Sequence, residues 1–600
     1  MCTMFKALLI FLIFSINGIN ILLDRKVYYN LLILKFHILF NISMSVKVRD
    51  LVSEWLIGKV GNYAFTVAAE NILGLLRSLI DRGGFIINSK FEPSAGFMAL
   101  VSSRLLLKPS TLIVTAGPGV FGALSPIAEA FIEGDPLIII APSVTGGRGT
   151  HMHQLRDDTQ FNTLSNVVKA SFKVSNPSNV AEILTKAYRI AVSGKPGPVY
   201  IDLPVDLMEL NTTSEYKDVD LTMREAVVVN DDAVKEAARL LADAELPVLL
   251  LGRGVTLSGA RDLAIKLAEL LNAPIATTIM AKGLIPPNHP LYAGVAAGKA
   301  GNMVAYEVIK KADVVLAIGN RFSEIGTGRY SLEIHGKLIH VNIDDYDLGK
   351  AYEPYLRIRA DAKEFLLRLM KVLNGMRIKG RSHVINELRE LWDAENKELS
   401  SYYEKATGLI KPWEVIKAVR EVFNRGGAVF VADVGAHRIE SFLMPINKDE
   451  RYITTTSYVS MGLAVPGAVA ASIIYPDRDV VGLVGDGGFL MTGLELSTAV
   501  QYGAKPKIIV FNDSTYRVLG VYEKVRFSSV TEALVKLPSI NFTLLAESLG
   551  AEGITITRRE ELKPLLSEAL NSSKATVVDV HIDPNTVPIP YQRLYGLRSI

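Results

Sequence analysis

A chain of 600 residues exceeds one domain and predicts three or four at about 150 residues each. Its composition, 49% hydrophobic and 21% charged, is that of a globular protein with ample material for buried parallel strands. A net charge of +3 without a basic cluster argues against nucleic acid as a partner, and the single cysteine, Cys2, excludes an internal disulfide, a zinc cluster and a thiol nucleophile.

Residues 1–43 differ from the rest. Residues 7–23 are apolar but interrupted by Ser15, Asn17, Gly18 and Asn20, and 27–42 carry Lys35 and His37. A membrane span needs about 20 cleaner apolar residues, and a signal peptide needs a small-residue cleavage site. Met44 opens Met-Ser-Val-Lys-Val-Arg-Asp, which reads as the start of an ordinary domain. We therefore expect translation to begin at Met44 and the protein to be cytoplasmic, with a membrane-associated leader as the alternative.

A first domain is expected over residues 45–215. Residues 70–80 have a helical pattern, and Phe85, Ile86 and Ile87 form a short strand. Phe91-Glu92-Pro93-Ser94-Ala95-Gly96-Phe97-Met98-Ala99 follows; taken alone, Glu92 is no more than a helix cap. Apolar runs at 111–114 and 136–140 lead into Gly117-Pro118-Gly119 and Ala141-Pro142-Ser143, so strands alternate with helices as in a doubly wound sheet. His151 and His153 lack a nearby Cys or further His and do not read as a zinc site.

A middle domain is expected over 230–375, after a polar linker at 211–220. Helix 231–242 and strand 247–251 precede Gly252-Arg253-Gly254-Val255-Thr256-Leu257, where Leu257 stands in place of the third glycine of a dinucleotide motif. Strands at 312–318 and 337–343 end at Gly319-Asn320-Arg321 and at Asp344-Asp345.

A third domain is expected over 408–590, beyond a charged helical linker at 386–405. Strand 428–431 ends at Asp433-Val434-Gly435-Ala436-His437. The apolar run 480–484 stops at Gly485-Asp486-Gly487-Gly488, an amphipathic helix covers 490–502, and a second apolar run, 507–511, ends at Asn512-Asp513. Parallel strands end on one edge, so Asp486 and Asp513 should face one crevice. The glycines allow a diphosphate to approach closely, and two carboxylates with a backbone carbonyl suit Mg²⁺ bridging to phosphate oxygens.

Gly-Asp-Gly, a gap in the mid-twenties and Asn-Asp resembles the motif of thiamine diphosphate enzymes. The wording GDGGFL…NDSTY is most similar to acetolactate synthases of the catabolic type. The resemblance runs from about residue 50 to 590 and implies three doubly wound α/β domains, which bind the pyrimidine, hold the centre and bind the diphosphate. It implies Asp486, Asp513 and the Thr515 carbonyl as Mg²⁺ ligands, flanked by Gly485, Gly487, Gly488 and Tyr516. Gly435, Ala436 and His437 would meet the diphosphate. In Ser457-Tyr458-Val459-Ser460-Met461-Gly462, Met461 would lie under the cofactor and the Val459 carbonyl would meet its 4′-amino group. Glu92, in the pattern Glu-x-x-Ala-Gly-x-Met-Ala, would touch N1′ of the aminopyrimidine, from a buried position that raises its pKa.

Gln154 matches the glutamine that synthases carry in the second-substrate loop, while His153 resembles the simple decarboxylases. Gly122 departs from the family, which has an asparagine there, and Tyr522 lies where anabolic synthases place a tryptophan. FAD, bound by the central domain of some members, is not favoured. The implied activity is decarboxylation of a 2-oxo acid, pyruvate favoured, and carboligation to a second one, giving acetolactate. A plain decarboxylase is the alternative, and a non-catalytic assembly partner is a reading from another class. A homodimer or homotetramer is implied, and nothing in the sequence bears on a regulatory subunit.

Overall fold

The structure is a computed structural model that describes residues 45–143, 158–216, 229–404, 406–597 and 599. The apolar leader, Met44, His151, His153 and Gln154 lie outside the described residues. Three six-stranded sheets organise the chain, and every strand pair within them is parallel. Their inner strands are almost continuously apolar and buried, as parallel strands covered on both faces must be, while edge strands such as Ala170–Lys173 and Leu356–Arg359 are partly exposed.

The first sheet runs Phe85–Asn88, Tyr63–Thr66, Ser110–Ile113, Leu137–Ala141, Val199–Asp202, Ala170–Lys173. The third runs Arg451–Ile453, Val429–Ala432, Val480–Gly485, Lys507–Asn512, Thr576–His581, Glu552–Ile556. Numbered by sequence within each domain, both have the order 2-1-3-4-6-5. The central sheet differs: Tyr292–Val295, Ile275–Thr277, Pro247–Leu251, Val314–Ile318, Lys337–Asn342, Leu356–Arg359, an order of 3-2-1-4-5-6. That is the order of dinucleotide-binding folds, although the glycine motif is incomplete at Leu257.

The first and third domains share one core. Helix Glu92–Leu106 is buried on all sides from Ser94 to Leu105, as a helix apolar around its whole circumference should be. It packs against the more apolar helix Ala464–Ile474 of the third domain. The central domain docks through arginines: Arg253 is paired with Asp135, and Arg321 with Glu133, both acids of the first domain. Among the described residues no helix is long and apolar enough to cross a membrane.

Candidate active site

The edge where the third sheet's strands end forms a cleft of about 310 Å³. Gly485 pairs in register with Phe511, so Asp486 and Asn512 leave the sheet side by side. The helix begins at Asp486 itself, four residues earlier than the sequence pattern indicates, and runs to Thr492 before a 3-10 turn at Gly493–Glu495. Asp486 Oδ1 accepts the Gly487 N–H at 2.7 Å, and Oδ2 accepts those of Asp513 and Thr515 at 3.2 and 3.3 Å. Ser514, held at φ 55°, makes the turn that points both of these N–H groups at one oxygen. Burial pushes the Asp486 carboxyl up to about 6, against the pull of the backbone donors.

Asp513 is buried behind it. Its Oδ1 accepts the Thr515 N–H at 2.9 Å and the Thr515 hydroxyl at 2.7 Å, and its Oδ2 takes two N–H groups of Arg517. Arg517 also donates to the Thr586 carbonyl at 2.6 Å, and burial pushes its pKa down to about 10.

Across the cleft stand Gly435, Ala436, His437 and Met461. A Cβ on Gly435 would lie 2.6 Å from the His437 ring, and one on Gly487 would lie 2.4 Å from Tyr516, so the wall has room for glycine only at both places. His437 is buried and stacked on Phe511 with ring centroids 5.4 Å apart. Burial, with Arg438 adding to it, pushes its pKa down to about 3, so the imidazole is neutral. Among the described residues its Nε2 has no hydrogen-bond partner. A buried orphan of this kind is a group that a ligand satisfies.

The cleft therefore unites Gly435, Ala436, His437, Met461, Gly485, Asp486, Gly487, Gly488, Asp513, Thr515 and Tyr516, all singled out in the sequence. Val459 does not line it but sits two residues before Met461, with φ at 65°, a left-handed conformation that β-branched residues rarely adopt.

Glu92 is not among the cleft residues. It opens helix Glu92–Leu106 and is half-buried, not buried as expected. Gly122 packs against it: a Cβ there would lie 3.2 Å from that of Glu92. Tyr522 is a second difference, since its hydroxyl bonds Tyr591 at 2.9 Å and its ring receives Arg329, in an aromatic cluster beside the cleft.

Two functional positions escaped the sequence reading. Asp433 is wholly buried and accepts the N–H groups of Val434 at 2.7 Å, Gly462 at 3.0 Å and Ala464 at 3.0 Å, tying the two strand-end loops together. Arg517 clamps Asp513. Both carried a signal: Asp433 ends a strand beside Gly435, and Arg517 stands four residues beyond Asp513 on a helix.

The residues present fit an oxygen-ligated divalent cation. Among the described residues no group of three or more His, Cys, Asp or Glu could hold a metal. Asp486 and Asp513 supply two hard carboxylates instead, leaving the remaining ligands to main-chain and phosphate oxygens.

Comparison with known proteins agrees with this geometry. Three profiles match in succession: the thiamine pyrophosphate enzyme N-terminal TPP binding domain over residues 46–161, the central domain over 234–369, and the C-terminal TPP binding domain over 433–580. A probable acetolactate synthase large subunit of Methanocaldococcus jannaschii is 30% identical over 516 residues, covering 83% of this chain and 85% of its own. The chain belongs to the thiamine pyrophosphate enzymes. Isozyme 1 large subunit of Escherichia coli acetolactate synthase is 28% identical over 83% of this chain and 87% of its own length. The acetolactate synthase large subunit of Lactococcus lactis is 29% identical, with 78% and 83% covered. The protein is thus an enzyme of the acetolactate synthase-like, thiamine pyrophosphate-dependent group.

Proposed function

We propose that this enzyme decarboxylates a 2-oxo acid, pyruvate foremost, and joins the remaining fragment to a second 2-oxo acid, giving acetolactate. The observation that carries the reading is the convergence of Asp486, Asp513, His437 and Met461 on one cleft at a sheet edge. Its relatives are named acetolactate synthase large subunits along most of their length.

Thiamine diphosphate, when bound, supplies a nucleophilic carbon that accepts the 2-oxo acid and stabilises the charge left when CO₂ departs. The chain's own groups place and tune it. Asp486, Asp513 and the Thr515 carbonyl would hold Mg²⁺, with Arg517 orienting Asp513 from behind. His437 Nε2, Gly435, Ala436, Gly485, Gly487, Gly488 and Tyr516 would receive the diphosphate. Met461 would support the cofactor, and the Val459 carbonyl would accept from its 4′-amino group.

Glu92 holds a proton at N1′ of the cofactor in a partner subunit. Its half-exposed position in the single chain supports that role, and a homodimer is then the smallest complete assembly. Gln154 belongs to the second-substrate loop. FAD at the central domain is an alternative that is not favoured.

The test is a product assay of the purified chain with pyruvate, Mg²⁺ and thiamine diphosphate. Acetolactate as the main product is expected. Acetaldehyde alone would make the enzyme a plain decarboxylase, and no turnover of any 2-oxo acid would remove the catalytic reading.

A further inference from the structure

Residues 454–462 lead from the core to the cleft. Thr454, Thr455 and Thr456 are buried, whereas Tyr458 is 49% exposed. Within this stretch Val459 holds its unfavoured left-handed conformation, which persists only where the surroundings over-determine it. Its main chain is held by three carboxylates. Asp433 takes Gly462 N–H. The other two stand on one helix of the first domain, Leu124–Glu133.

Glu133 accepts the N–H groups of Thr456 and Ser457, each at 2.8 Å. Although burial opposes its charge, Arg321 and Arg104 hold its carboxyl down to about 2. Glu129 accepts the Ser460 N–H at 2.9 Å, and Ser125 Oγ meets Ser460 Oγ at 3.1 Å. Glu129 is wholly buried, and among the described residues its Oε1 has no hydrogen-bond partner. Val459 is therefore pinned on both sides: by Glu133 at Ser457 before it and by Glu129 at Ser460 after it.

We propose that Glu129 is a positioning residue, whose hydrogen bond to Ser460 sets the placement of the Val459 carbonyl and the Met461 shelf beneath the cofactor. The inference rests on the reading of Val459 and Met461 given above. It makes a first-domain helix part of the cofactor site in the third domain of the same chain. The bond is also sensitive to pH. Burial first, and the neighbouring Glu133 second, push the Glu129 carboxyl up to about 7, against the Ser460 N–H and Arg104. An ionised acceptor makes the stronger hydrogen bond, so the shelf is firmer above neutrality. The groups around it are Glu133 on its own helix, Arg104 on helix Glu92–Leu106, Ser460, and behind them Asp135, Arg253 and Arg321. The arginines stay charged throughout this range.

The experiment is hydrogen–deuterium exchange of the segment 457–462 in the full chain at pH 6 and pH 8, corrected for intrinsic rates, together with the dissociation constant for thiamine diphosphate in Mg²⁺. Glu129→Gln keeps an acceptor for Ser460 but does not ionise; Glu129→Leu removes the acceptor at similar volume. In wild type, protection of the segment should rise from pH 6 to pH 8, and Glu129→Gln should lose that step. Glu129→Leu should exchange faster and bind cofactor more weakly, each by about tenfold. Wild-type exchange in Glu129→Leu, or an unchanged pH step in Glu129→Gln, would overturn the proposal. If wild type fails to bind the cofactor, the reading of the whole site falls; if wild type binds and Glu129→Leu binds equally tightly, only this inference falls.

Discussion

Single residues decide the chemistry at this cleft. Two of them, Glu92 and Val459, stand outside the cleft lining. Glu92→Gln preserves shape but not acidity, so the cofactor should still bind while hydrogen–deuterium exchange at its C2 slows about 10²–10⁴-fold. Equal exchange in the two proteins would reduce Glu92 to a helix-end residue. Gly122→Ala would place a methyl group 3.2 Å from the Glu92 Cβ. Val459 carries strain that glycine would not. Val459→Gly should stabilise the protein by up to about 1 kcal/mol, since release of left-handed strain exceeds the added flexibility of glycine. The same change should weaken cofactor binding, because the carbonyl it frees is the one proposed to be placed. Denaturant titration beside a binding isotherm measures both, and a destabilised variant would contradict the strain argument.

Elements carry the connections between domains: an apolar helix pair joins the first and third, and buried ion pairs join the first and central. Arg104 and Asp135 form a buried ion pair at 2.7 Å, and Arg104 also reaches the Thr454 carbonyl of the third domain. Asp135→Ala should cost about 3–5 kcal/mol by stranding Arg104 and Arg253 in the interior. A loss under about 1 kcal/mol in denaturant titration would mean that water relieves them. The helix Ala436–Glu440 supplies a pH-dependent term. Burial pushes the Glu440 carboxyl up to about 8, only partly offset by the Ile589 N–H and Arg593. The folded state thus binds a proton that the unfolded chain releases near pH 4.5. Stability from this group is present below that pH and is lost as pH rises through about 8. Glu440→Gln should flatten this part of the profile, read as melting temperature from pH 5 to pH 9. An unchanged slope would show that Glu440 is ionised in the folded chain.

At the scale of the whole molecule, the sequence made the architecture legible because parallel strands announce themselves. Runs such as 480–484 and 507–511 are uninterrupted apolar segments ending at glycine or acid, and the cleft residues are those strand ends. The topology of the central sheet was not legible, because strand order is set by crossovers rather than by local pattern. Glu129 escaped for a different reason. Its work is to accept a main-chain N–H from a segment far away in sequence, and an acid on an ordinary helix carries no local sign of that. Glu92 was legible as a position but not in its environment, since burial is a property of packing.

The central claim is that the Asp486–Asp513 cleft holds thiamine diphosphate through a divalent cation. Its most direct test is calorimetric titration of the purified chain with thiamine diphosphate, in Mg²⁺ and in chelator, for wild type and Asp486→Ala. Saturable binding that requires Mg²⁺ and is lost in Asp486→Ala is the expected result. Binding of equal affinity in chelator, or in the variant, would contradict it.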